Sequence, residues 1–278
     1  MLPREINLGP LTIHLYGFVI AVSIYIGWLL AKKRASIYKQ SLRSSSINRR
    51  TAGLKIPQSI FEDWILLIPL VLGIAGARLY HVLDYWSYYS SSLISILKIS
   101  DGGLGIWGGL AGMIIGFWIV AKIRKLDILS SLDLVAPSIL LGQVIGRFAN
   151  YINQEGFGPP TDKPWGVFID QAHRPLQYFS YTRFHPTFFY EAVINFIFFL
   201  ILMYWLKKST VNGQLSVVKG RTFALYLIFY STSRFITEFW RINTWVIGQV
   251  KVAHVFSIVS FMIGIVLLIF SRKKLFRS

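Results

Sequence analysis

The 278-residue chain has no cysteine, which excludes disulfides, thiolate metal sites and a cysteine nucleophile; any thiol in its chemistry belongs to a substrate. Acidic side chains are scarce too: 12 Asp and Glu stand against 29 Lys and Arg, for a formal charge of +17. In a soluble protein that surplus would point to nucleic acid. Here the basic residues flank oily runs and build no RNA- or DNA-binding motif, so no nucleic-acid partner is expected. No A-x-A site follows the first apolar run, LTIHLYGFVIAVSIYIGWLLA, and that run is too long for the core of a cleaved leader, so a retained first helix is expected. No internal repeat suggests an inverted-repeat transporter, and low complexity is confined to SLRSSS and YYSSSLIS.

What the chain does have is hydrophobic length. Apolar residues make up 54% of it, gathered near 11–31, 60–84, 102–121, 130–151, 187–206, 221–240 and 252–271. Each run is close to the ~20 residues that a helix needs to cross a bilayer. The expectation is an all-α integral membrane protein, residues 1–278 forming one domain of seven transmembrane helices. Residues 32–59 hold Lys32, Lys33, Arg34, Lys39, Arg43, Arg49, Arg50 and Lys55 and no acid, whereas 85–101 hold only Lys98 and Asp101. Basic clusters recur at Lys122–Lys125, at Lys207, Lys208, Lys219 and Arg221, and at the tail from Arg272 to Arg277. The positive-inside rule makes 32–59 a basic cytoplasmic loop, 151–186 an extracytoplasmic loop region, the N-terminus outside and the C-terminus cytoplasmic.

On that topology the polar residues of the spans share one level in the outer half: Arg78, Arg147, Arg234, His14, Tyr16, the run Gly102–Gly109, His185 and Glu191. Tyr230, Arg234 and Glu238 recur every four residues, and Arg147, Asn150 and Gln154 fall at i, i+3 and i+7, so each set shares a helix face turned into the bundle. An ionised group at mid-helix costs about 2.5–3.5 kcal/mol on insertion scales, so such a collection implies an anionic amphipathic ligand. Arginine suits phosphate because its planar fork donates two parallel bonds and keeps its proton.

Plainer readings stand beside these. Arg78 follows GIAGA near a helix end, where it can snorkel to the interface. Arg234 and Glu238 can be a structural ion pair, Tyr16 an aromatic-belt anchor, and His185 a capping residue before Pro186. Gly108, Gly112 and Gly116 are read as a surface for close helix approach. A transporter or flippase for an anionic lipid is the alternative to a lipid-modifying enzyme, although no polar trail continues through the inner halves.

The segment GRFANYINQEGFGPPTDKPWG, residues 146–166, resembles the signature of prolipoprotein diacylglyceryl transferases. So, in order, do IHLYGFVIA, GARLYHVL, DGGLGIWGGLAG, HPTFFYEA and SRFITEFWR. The resemblance implies a seven-helix enzyme of the bacterial cell membrane that works without cofactor or metal at the outer leaflet. It would move the diacylglyceryl group of phosphatidylglycerol onto the cysteine thiol of a prolipoprotein lipobox, releasing glycerol 1-phosphate. It also implies catalytic roles for Arg147, Arg234, His185 and Tyr16. Asn150, Asn153, Glu155, Gly158, Glu191, Tyr230 and Glu238 become substrate-binding candidates, joined by His14 and Arg78 from the polar layer. The chain departs from the family pattern at Trp107, where some members have a histidine, and at Thr187, Phe188 and His254. The base for the thiol stays open between His185 and Glu191.

Overall fold

The computed structural model describes residues 3–9, 11–44, 64–98, 102–208, 210–211, 214–215, 219–242 and 244–275. Residues 45–59 of the expected basic loop, residues 60–63 of the second expected span, Asp101 and Arg277 lie outside them. Among the described residues, long helices occupy all seven expected spans: α1 (Leu15–Ser44), α2 (Leu67–Asp84), α3 (Ile106–Ile123), α4 (Ile128–Asn153), α5 (Thr187–Lys208), α6 (Arg221–Glu238) and α7 (Val252–Leu275). Six are long and apolar enough to cross a membrane; α6 is the exception. Its sequence spends positions on Arg221, Arg234, Glu238 and a series of hydroxyls.

The chain forms two compact units, Ile47–Ser131 and Met1–Ser46 with Leu132–Ser278. In the first, α2 and α3 pack backbone to backbone, as the glycine spacing implied. A Cβ at Gly108 would strike the Gly76 carbonyl, one at Gly112 the Leu72 carbonyl, and one at Gly116 the backbone of Pro69. Arg78, on α2 and 6% exposed, ties down the connection that follows. Its Nε donates to Ile96 O (2.8 Å), Nη1 to Gly102 O and Gly103 O (2.6 and 3.0 Å), and Nη2 to Ser95 O and Lys98 O (2.6 and 3.0 Å). All five donors of the guanidinium are thereby spent on backbone carbonyls.

In the second unit the chain enters α1 from an antiparallel hairpin, β1 (Glu5–Leu8) and β2 (Leu11–His14), in which Glu5 faces His14. A core of Ala136 and Leu140 on α4, Leu202 on α5 and Tyr226 on α6 joins those three helices. Helix α4 stops where Gln154 turns left-handed (φ 53°) and the Glu155 N–H reaches back to Asn150 O at 3.0 Å, a Schellman-type ending. Residues 154–186 then fold over a core of Phe157, Ile169 and Phe184, with a short ribbon of β3 (Val167–Phe168) and β4 (Arg183–Phe184). The left-handed turn takes Gln154 off the α4 face expected for it. Its amide instead exchanges two 2.6 Å bonds with Asp170, Nε2 donating to Oδ2 and Oε1 accepting from the backbone N–H.

Candidate active site

Helices α4, α5 and α6 each contribute charge at one level. Glu191 on α5 is completely buried and bridges the two arginines: Arg147 Nη2 donates to Oε1, and Arg234 Nη1 to Oε2 at 3.4 Å. Arg234 Nη2 lies 2.8 Å from Oε2 of Glu238, one turn along α6 and also fully buried. The guanidinium side chains keep 17% and 19% exposure while both carboxylates keep none, so the carboxylates form a buried acidic floor beneath partly exposed arginines. Arg147 Nη1 donates to Asn150 Oδ1 (3.2 Å), and Asn150 Nδ2 to Oε1 of the exposed Glu155 (2.9 Å). Tyr16 of α1 and Tyr230 of α6 stand close enough to Arg147 to interact with it electrostatically. The spacing of Tyr230, Arg234 and Glu238 thus does put them on one face, and that face meets Arg147 through Glu191.

A third arginine, not singled out in the sequence, belongs to this group. Arg241 follows α6 by one more turn on the face of Arg234 and Glu238, which was the available signal. Its Nη2 occupies the space that a Cβ on Gly156 (φ 67°) would take. Burial, then repulsion from Arg234 and Arg147, pushes its pKa down to about 10 despite the opposing attraction of Glu191 and Glu238. Three guanidiniums over two buried carboxylates leave the buried groups one negative charge short, with the exposed Glu155 at the rim beside Asn150.

His185 belongs to a different hydrogen-bonded group. Its Nδ1 is 2.9 Å from Tyr190 Oη, which also accepts from Trp165 Nε1 at 2.9 Å. Tyr190 was not singled out from sequence, although it lies inside the HPTFFYEA segment that resembles the family. His14 is exposed and pairs with Glu5 across the hairpin (3.2 Å). Asn153 is half-buried at the end of α4.

Gly158 acts through its lack of a side chain. Its N–H donates to His185 O at 2.8 Å, and an added Cβ would lie 2.7 Å from both Thr187 Cγ2 and the Trp240 carbonyl oxygen. Gly158→Ala is therefore expected to destabilise the fold by about 1–3 kcal/mol, read as a lowered thermal midpoint. An unchanged midpoint would mean that the Trp240 backbone yields.

The family model for prolipoprotein diacylglyceryl transferase matches residues 3–270. A phosphatidylglycerol–prolipoprotein diacylglyceryl transferase of Prochlorococcus marinus subsp. pastoris is 35% identical, over 98% of this chain and 93% of the relative. Proteins of the same name from Finegoldia magna and Staphylococcus haemolyticus are 34% and 35% identical, over 95% and 98% of this chain and 93% and 89% of theirs. Matched over nearly its whole length by the family model and by these relatives, the chain belongs to the prolipoprotein diacylglyceryl transferase family.

Proposed function

We infer that the chain transfers the diacylglyceryl group of phosphatidylglycerol to the lipobox cysteine thiol of prolipoproteins and releases glycerol 1-phosphate, the first step of bacterial lipoprotein maturation. The observation that carries this reading is the cluster of Arg147, Arg234 and Arg241 over the buried Glu191 and Glu238, partly exposed guanidiniums with one negative charge fewer than positive among them. A phosphodiester carries one such charge. Tyr16, Asn150 and Tyr230 flank the place where the headgroup would sit. Arg78 holds its own unit together and has no donor left for lipid.

In the reaction the cysteine sulfur forms a bond to the glyceryl carbon, the carbon–oxygen bond to phosphate breaks, and the thiol proton leaves to solvent or the departing phosphate. Charge grows on the glycerol phosphate as that bond breaks, where Arg147 and Arg234 stabilise it electrostatically. Near its reference pKa of ~8.5 a free thiol is only slightly ionised at neutral pH, and the same cationic edge favours the thiolate. Glu191 is a poor candidate for the base because each oxygen is committed to a guanidinium. His185 acts in the neighbouring Tyr190–Trp165 group.

Basic clusters after α1, α3 and α5 and at the tail support an outside N-terminus, a cytoplasmic C-terminus and a site at the outer leaflet. Helix α6 can be the seventh span despite its charges, since Arg234 and Glu238 are paired inward. The test is mass spectrometry of purified protein with phosphatidylglycerol vesicles and a lipobox peptide. A diacylglyceryl thioether together with free glycerol phosphate is expected, and folded protein yielding neither overturns the reading. In the same assay Arg147→Lys, which keeps charge but loses the fork, should lower turnover about a hundredfold. Parental turnover would remove Arg147 from the site.

A further inference from the structure

The three helices that bring Tyr16, Arg147 and Arg234 together also meet at a second point, roughly 15–27 Å away along their axes. There Asp133 of α4, 4% exposed, accepts from the Gly220 N–H through Oδ2 (2.6 Å) and from the Phe223 N–H through Oδ1 (2.8 Å). Gly220, the residue before α6, has a left-handed backbone (φ 81°) and no side chain to cap the helix's free N–H groups. A carboxylate from another helix does the capping, placed favourably for the helix dipole.

The same residue is tied to α1. Pro137 lies inside α4 and has no N–H, so the Asp133 carbonyl lacks its usual partner four residues on. Arg34 of α1 supplies one, its Nη1 donating to Asp133 O (3.1 Å) and to Leu134 O. From there α1 and α4 run antiparallel in a close register. An added Cβ on Gly27 would lie 3.3 Å from Ser138 O, one on Gly142 3.8 Å from Ser23 O, and one on Gly146 3.9 Å from Ile20 Cδ1. That ladder ends at Tyr16 beside Arg147. On the other side α4 and α6 run parallel, linked by Gln143 Nε2 donating to Tyr226 Oη (3.1 Å) before the level of Arg147, Glu191 and Arg234.

We propose that Asp133, with Arg34 and the break at Pro137, is a positioning node that fixes the axial register of the helices carrying Tyr16, Arg147 and Arg234. Among the described residues the links between these helices are few and lie at the node and along this ladder, so an axial slip at the node moves the two guanidiniums relative to each other. A misplacement of about 1 Å at a reacting centre costs on the order of a hundredfold in rate. Asp133→Asn keeps one acceptor but turns an N–H donor toward a backbone N–H, which releases one strand of the cap.

The proposal rests on the arginine cluster being the transfer site, and its test separates the two. The chain has no cysteine, so spin labels go cleanly onto Phe148→Cys and Phe239→Cys, at positions 48% and 62% exposed on α4 and just beyond α6. Pulsed electron spin resonance is expected to give one narrow distance in the labelled parent, and a displaced or broadened one with Asp133→Asn or Arg34→Met. Turnover should fall about a hundredfold with little change in KM. Adding Pro137→Ala to Arg34→Met gives the Asp133 carbonyl an N–H at position 137 and should restore both distance and turnover, a rescue that keeps the test alive if Asp133→Asn does not fold. An unchanged distance, or no rescue, overturns the node. So does a changed distance with parental turnover in a protein that Arg147→Lys inactivates. If Arg147→Lys leaves turnover intact, the assignment of the cluster has failed and the distances still report on the node.

Discussion

Replacing Glu191 with glutamine is expected to slow diacylglyceryl transfer about a thousandfold while leaving affinity for phosphatidylglycerol equal to or tighter than that of the parent. Glu191 holds one guanidinium on each oxygen. Glutamine accepts from one arginine and presents an N–H₂ to the other, so one cationic fork loses its anchor. The site also gains a net positive charge, which favours an anionic lipid in the ground state. Turnover depends instead on two forks converging on the charge that develops at the leaving phosphate, where losing one oriented donor typically costs 10²–10³-fold. A fall in kcat with a steady or lowered KM is the signature of an interaction realised in the transition state. The loss of a fully buried charge partner should also destabilise the fold by about 3–5 kcal/mol. Kinetics at a temperature well below the lowered midpoint separate the two effects. A raised KM with unchanged kcat would mean that Glu191 only shapes lipid binding.

Much of this arrangement was legible in the sequence because it is periodic. Among the described residues long helices occupy the oily runs, six of them long and apolar enough to cross a membrane, the four-residue glycine spacing became the α2–α3 contact, and Tyr230, Arg234 and Glu238 share a face. What periodicity hides is how helices end and what lies across the bundle. Gln154 continues the face of Arg147 and Asn150 on paper, but the left-handed turn at α4's end sends it to Asp170. Arg78 reads like the other intramembrane arginines, yet the connection after α2 wraps it in five carbonyls that no local pattern announces. Asp133 reads as an isolated charge, because the N–H groups that it caps are some ninety residues away. Helix α6 falls short by composition for the same reason that it matters: its polar positions are those of the site and its neighbours.

Arg241→Met is expected to make the protein more stable and much less active. At neutral pH the guanidinium is protonated in folded and unfolded chains alike, and the folded chain bears the cost of its burial and of repulsion from Arg234 and Arg147. The fall of its pKa to about 10 in a mostly buried group corresponds to on the order of 2–3 kcal/mol, the lower figure allowing for partial solvent screening. Methionine removes that cost and still lies against Gly156. The sign follows from proton linkage: above about pH 10 the unfolded chain still holds a proton that the folded chain has released, so the penalty is full below pH 10 and fades above it. The gain in thermal midpoint should therefore be flat near neutrality and shrink as pH rises past about 10. Activity moves the other way, because without Arg241 the remaining two guanidiniums only balance Glu191 and Glu238, and the deficit that a phosphodiester would fill is gone. A loss of kcat/KM of about a hundredfold is expected, on the scale of one removed cationic contact in a poorly hydrated site. Vesicles of phosphatidylglycerol should raise the midpoint of the parent more than that of the variant, since a ligand stabilises only the state that binds it. Equal stabilisation of both proteins would place the lipid phosphate away from Arg241.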